Sequence, residues 1–160
     1  MNGYKGAWHG DPELKAEVLA RMIAHREQDE IIQGYYRIRD SEKASGYKGC
    51  LVGCTLPGHL EDTKKCSPWD SNRVDRPREG WHRRLELLYG IPADIAHLLD
   101  DTFENQDTFD EAAEFAVASI EAIPVGADLR ELAQRYLDAV AAIDTAMVLE
   151  ELRNAPLVTP

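Results

Sequence analysis

The sequence predicts a mainly α-helical fold, an irregular bundle of about five helices around one long irregular insertion. Three observations carry this. Apolar residues recur three and four apart in segments that open on capping signals, and runs of alternating apolar and polar residues are almost missing. Between residues 37 and 80 the helical rhythm gives way to Gly, Ser, Lys and Asp, punctuated by Pro57, Pro68 and Pro77.

The first helix opens at Asp11-Pro12, where Asp caps free amides and Pro occupies a position whose N–H has no partner. The pattern carries it to Gly34 and sets Leu14, Val18, Met22 and Ile32 on one side. His25 and Asp29 fall within the same arc, so a polar pair is pushed toward the interior. The segment from 37 to 80 reads as loops and short turns. A second cap-plus-proline signal, Asp75-Arg76-Pro77, opens a helix with Trp81, Leu85 and Leu88 on its stripe, ended by Gly90. Pro92 opens a helix carrying Ile95, Leu98, Leu99 and Phe103. Asp107 or Thr108 opens the next, with Phe109, Ala113, Ala116 and Ile120 at helical spacing, and Pro124-Val-Gly126 stops it. A last helix from near Asp128 to Arg153 stacks Leu129, Ala133, Tyr136, Val140, Ile143 and Met147.

The 160 residues fit one helical domain spanning 1–160. With 18 Lys and Arg against 29 Asp and Glu the net charge is −11, and 44% hydrophobic residues make the chain globular rather than disordered. This balance disfavours direct nucleic-acid binding through a broad basic surface, and a basic membrane-surface role likewise. The N-terminus lacks the apolar core of a secretory signal, and no segment has the apolar length to cross a bilayer, so a cytoplasmic protein is expected. Cys50, Cys54 and Cys66 are an odd number in a chain able to build its own core, which fits reduced thiols or metal ligands better than disulfides.

Chemistry gathers in two constellations. The first is Gly49-Cys50-Leu-Val-Gly53-Cys54-Thr55: as a helical turn it sets both thiols on one face, and its N-terminus would favour thiolate. Cys50 and Cys54 are therefore candidate metal ligands, with His59 and Cys66 as the further donors of a zinc site. A thiol redox pair and two buried, inert cysteines are the competing readings. The second constellation is His25 with Asp29 and His82 with Glu86, each a His-x-x-x-carboxylate in which the acid orients an imidazole as base or ligand. Hydrogen-bonded units with no catalytic use are the plainer reading of either pair. Glu79-x-x-His82 and Asp94-x-x-His97 resemble di-iron ligand motifs, but no pair of further inward Glu residues accompanies them, so a ferritin-like centre is rejected.

Several segments resemble a family of uncharacterised bacterial and phage-type proteins. They are Trp8-His-Gly-Asp-Pro12, His25-Arg-x-x-Asp29 with Gln33-Gly34, Lys48-Gly-Cys-x-Val-Gly-Cys-Thr-Leu56, His82-x-x-x-Glu86 with Gly90-Ile-Pro92, and Glu121-Ala-Ile-Pro-Val-Gly-Ala-Asp-Leu129. The resemblance implies no reaction. It does imply that His25, Asp29, Cys50, Cys54, His82 and Glu86 belong together, whereas His59 and Cys66 lie in a stretch that departs from the family pattern.

The expected function is a pocket that binds a divalent metal or a small ligand, with catalytic use of His25 and His82, Asp29 and Glu86 orienting them, and Cys50 or Cys54 as ligand or nucleophile. The alternative is a non-catalytic interaction protein, a phage-type regulator or an acidic nucleic-acid-mimic inhibitor, whose acidic residues, crowded in part from Asp100 to Glu114, bind a basic protein partner in competition with nucleic acid.

Overall fold

A computed structural model describes residues 3–57, 76–137 and 145–159. The protein is mainly helical, as its sequence predicts: α1 (Pro12–Glu27), α2 (Leu51–Thr55), α3 (Arg76–Tyr89), α4 (Ala93–Glu104), α5 (Phe109–Ala122), α6 (Arg130–Leu137) and α7 (Thr145–Arg153). A small antiparallel pair, β1 (Ile38–Arg39) and β2 (Tyr47–Lys48), stands between α1 and α2 with Ile38 opposite Lys48. Among the described residues no helix is long and apolar enough to cross a membrane.

The caps are those the sequence signals. Asp11 accepts from the amides of Glu13 and Leu14, and Thr108 accepts from that of Glu111. Helix α1, however, ends at Glu27 and not at Gly34: Asp29 adopts a left-handed conformation (φ 54°), and the Glu30 amide returns to the His25 carbonyl. Ile32 therefore lies beyond the helix, and α1 buries Val18, Met22 and His25. On α3 the buried face is Trp81, His82, Leu85 and Tyr89, while Leu88, expected on that stripe, is exposed. Phe109 and Met147, placed inward by periodicity, are exposed, and each lies in the first turn of its helix. Helices α6 and α7 fall within the long helix expected from Asp128 to Arg153; Val140 and Ile143 lie outside the described residues, as do His59 and Cys66.

Helix α5 packs against α1, α4 and α7, and α3 against α4, while the short α2 lies among α1, α3 and α4. The core joins them through Met22, Leu51, Leu56, Leu85, Ile95, Leu99, Phe103 and Ile120, all fully buried. The N-terminal segment is stitched between two loops. Ala7 exchanges backbone hydrogen bonds with Ala127 and Gly126, and Tyr4 Oη donates to the Gly90 carbonyl. The buried Trp8 adopts a positive φ of 61° and is held there by its indole N–H on the Ile123 carbonyl at 3.1 Å.

Gly80 lies inside α3, and a methyl group placed on its α-carbon would meet nothing within 4 Å among the described residues, so Gly80→Ala removes backbone freedom without a clash with them. It is expected to stabilise the protein by about 0.5–1 kcal/mol, read as a raised urea midpoint at unchanged slope.

Candidate metal centre

The site starts where α2 starts. The Cys50 amide donates to the Tyr35 carbonyl at 2.7 Å, which fixes Cys50 as the extended residue preceding the helix (φ −74°, ψ −179°). Because Cys50 stands outside the helical turn, the shared-face rule for residues four apart does not govern it, and the two thiols part. Cys54 Sγ lies against the carbonyls of Gly49 and Glu30, at 3.4 and 3.7 Å. Cys50 lies against α4, whose Asp100 and Glu104 are four residues apart and so share a face.

One thiol sulfur and one oxygen from each of these two carboxylates lie within 4.8 Å of one another. Ligands about 2.0–2.3 Å from a tetrahedral ion stand roughly 3.5 Å apart, so the three side chains would have to draw together by about 1 Å to hold a cation. Glu104 is aimed by the Gly34 amide, which donates to Oε2 at 2.8 Å, and the Gln33 side-chain amide fastens the end of α4 by donating to the carbonyls of Phe103, Glu104 and Gln106. Asp100 is aimed by His82, whose Nε2 is 3.2 Å from Oδ2. Asp100 Oδ1 is buried with no hydrogen-bond partner among the described residues. An unpaired buried oxygen is costly. Burial pushes the Cys50 thiol well above its ordinary range, and the negative charge of Asp100, and less strongly of Glu104, adds to the shift. The expected lowering at a helix N-terminus is thus reversed: a helix of one turn offers little dipole, and desolvation dominates. Cys54 is likewise pushed up to about 12 by burial.

His82 is buried, with the Tyr36 ring edge-on at 6.0 Å and the His97 ring at 4.9 Å. Its carboxylate partner is Asp100, from the neighbouring helix, and not Glu86. Glu86 instead accepts from the Ala93 amide at 3.2 Å, in the first turn of α4.

His25 and Cys54 belong to a second buried network. The carboxylate on His25 is Glu30, not Asp29: Nδ1 is 2.5 Å from Glu30 Oε2, while Asp29 faces solvent. A carboxylate accepts, so Nδ1 carries the proton, and Nε2 takes the Tyr47 hydroxyl at 3.0 Å. Glu30 Oε1 accepts from the Ser45 amide. The Arg37 guanidinium lies 4.2 Å over the Tyr47 ring and donates to the carbonyls of Gly53, Leu56 and Pro57, where α2 ends. The six residues selected from sequence therefore do not form one pocket. They divide between a centre with Cys50 and His82 and a network with His25 and Cys54, while Asp29 and Glu86 orient neither imidazole.

Burial lowers the His25 pKa from its ordinary value, against the opposing pull of Glu30, with Arg37 and Arg21 adding to the lowering. The folded state thus holds His25 neutral while the unfolded chain takes up a proton, so its contribution is present above the ordinary imidazole pKa of about 6.5 and is lost as pH falls below it. Urea midpoints should drop as the pH falls below about 6.5, and His25→Gln should be weaker at pH 8 yet flatter below that point. An unchanged slope in the variant would assign the acid sensitivity elsewhere.

Asp100, Glu104, Glu30, Tyr47 and Arg37 are the residues that motif spacing passes over. Asp100 does carry a signal: it follows the buried Ala96 by four positions and precedes the buried Phe103 by three, which sets an acid on an apolar face. Comparison of the chain with protein families, with curated proteins and with solved structures finds no match, so the roles of its residues rest on this geometry.

Proposed function

We propose that the protein binds a divalent transition metal through Cys50, Asp100 and Glu104, with His82 orienting Asp100. The observation that carries this reading is the convergence of a thiol and two carboxylates beside an unpartnered, buried Asp100 oxygen. One sulfur with two carboxylate oxygens suits the zinc, cobalt or iron class; magnesium and calcium prefer oxygen alone. Three protein donors leave a coordination position for water or substrate, as in zinc enzymes. A carboxylate–imidazole pair behind a ligand is a common means of holding it in register.

The two thiols give the test. Untagged protein titrated with Co2+ should develop sulfur-to-cobalt absorption and saturate at one ion per chain. Cys54→Ala should keep the signal and Cys50→Ala should lose it. No absorption in the parent, or equal absorption in the Cys50 variant, would overturn the reading.

A second reading is favoured by a cleft of about 450 Å3 between the end of α1 and the start of α5, lined by Asp29, Asp110 and Glu114, the last already paired with the cleft's own Arg26 at 3.3 Å, together with Ile31, Ile32 and Phe109. Apolar walls under carboxylates suit a basic, apolar segment of a protein partner. A lysine-rich peptide carrying one aromatic residue should bind with salt-sensitive affinity and fail on Asp110→Lys with Glu114→Lys. Binding indifferent to both would remove this reading.

A further inference from the structure

We propose that His97 and His82 form the route by which a divalent transition metal reaches Cys50, Asp100 and Glu104, with His97 as the outer, transient ligand. This rests on the metal-binding reading above. Cys50, Asp100 and His82 are all buried, so a hydrated cation needs donors that replace its waters in steps. The structure supplies a graded series of them. His97 is about half exposed, with Nδ1 held 3.1 Å from Asp101 Oδ2, a carboxylate–imidazole pair at the surface. Its ring lies against the buried His82 ring, centroids 4.9 Å apart and planes inclined by 33°. His82 touches Asp100 Oδ2, and Asp100 belongs to the donor set itself. The series from solvent to centre is therefore His97 with Asp101, then His82, then Asp100, each group in contact with the next.

The competing way in passes Glu104, which is half-buried. Its Oε2 accepts from the Gly34 amide, the hydrogen bond that aims Glu104, so on this route the cation meets a resident ligand first and uses neither histidine. On either route the last bond, from the metal to Cys50 Sγ, forms as the thiol proton leaves to buffer, and no oxidation is involved.

The two routes separate kinetically. A transient ligand lowers the barrier in both directions and leaves the equilibrium alone. In stopped-flow mixing with Co2+, His97→Gln should slow uptake by about tenfold, and removal by excess chelator by the same factor, at unchanged Kd. His97 is on the surface, so the variant is expected to fold like the parent. Uptake and removal at parental rates would overturn the route in favour of Glu104. A weakened Kd with an unchanged uptake rate would overturn it too, since His97 would then be a resident ligand or a structural residue. If the parent takes up no Co2+ at all, the metal-binding reading fails and this inference falls with it.

Discussion

Asp100→Asn is expected to cost about a hundredfold or more in Co2+ affinity while leaving the metal-free protein at least as stable as the parent. The two effects have one cause. In the metal-free protein Asp100 is a buried carboxylate whose side-chain partner is His82, and it shares its surroundings with the Cys50 thiol and the Glu104 carboxylate. An oxygen left without a partner in such a place costs about 1–3 kcal/mol. Asparagine keeps the oxygen that His82 addresses, replaces the unpaired one with an amide donor, and removes a negative charge from beside another acid. A cation loses its anionic ligand in the same substitution. If Asp100 served only to hold α3 against α4 through His82, the outcome would be reversed, with loss of stability and no change in metal affinity. Urea midpoints with and without Co2+ read both quantities. At a free metal concentration of about a hundred times Kd the parent should gain roughly 2.7 kcal/mol and the variant almost nothing.

Much of the fold is legible in the sequence because its helices are announced locally. Asp11-Pro12 and Thr108 act through their own side chains on amides two or three residues away, and such signals survive whatever packs around them. The apolar row of α4 is legible for a similar reason, since that helix is flanked by others and buries what periodicity says it should, whereas in α5 only Ala116 and Ile120 of the predicted stripe are buried. The site is only half legible. Sequence spacing identifies His25 as a polar group on an apolar stripe and singles out His82 and Cys50 as candidate bases or ligands, but it assigns each the nearest carboxylate or thiol along its own helix. For His25 the error lies in a helix boundary: once α1 stops at Glu27, Asp29 swings to solvent and the reversing chain brings Glu30 back to the ring. For His82 the acid that matters comes from α4, eighteen positions away, while Glu86 is taken by an unpaired amide of that same helix. For the cysteines a difference of one position, residue before the helix against residue within it, sends two thiols to different places. Interior contacts of this kind depend on which elements are neighbours, and no spacing rule within one helix encodes that.

Gly53→Ala should unfold the protein or cost more than about 3 kcal/mol, and in any folded remnant it should weaken metal binding as well. A methyl group at Gly53 would stand 1.6 Å from the Tyr36 carbonyl oxygen and 2.6 Å from its carbon. Both are backbone atoms, with no flexible side chain to swing away. Relief requires α2 and the Tyr35–Arg37 segment to move apart by well over about 1 Å, and three features depend on that contact. The Cys50 amide donates to the Tyr35 carbonyl, Arg37 Nε donates to the Gly53 carbonyl at 2.7 Å, and the Arg37 guanidinium is held over Tyr47, the residue that completes the His25 network. Separation would leave a buried guanidinium with fewer acceptors, which is among the costlier defects in a protein interior. It would also draw Cys50 away from Asp100 and Glu104, so a loss of packing in one cluster is transmitted to the donor set in the other through α2. Gly80→Ala is the matched control, the same chemical change at a position with open space. A pair of urea curves in which the two substitutions shift the midpoint equally would refute the close approach at Gly53. Opposite shifts, with Co2+ binding preserved only in the Gly80 variant, would establish α2 as the element that ties the polar network to the metal centre.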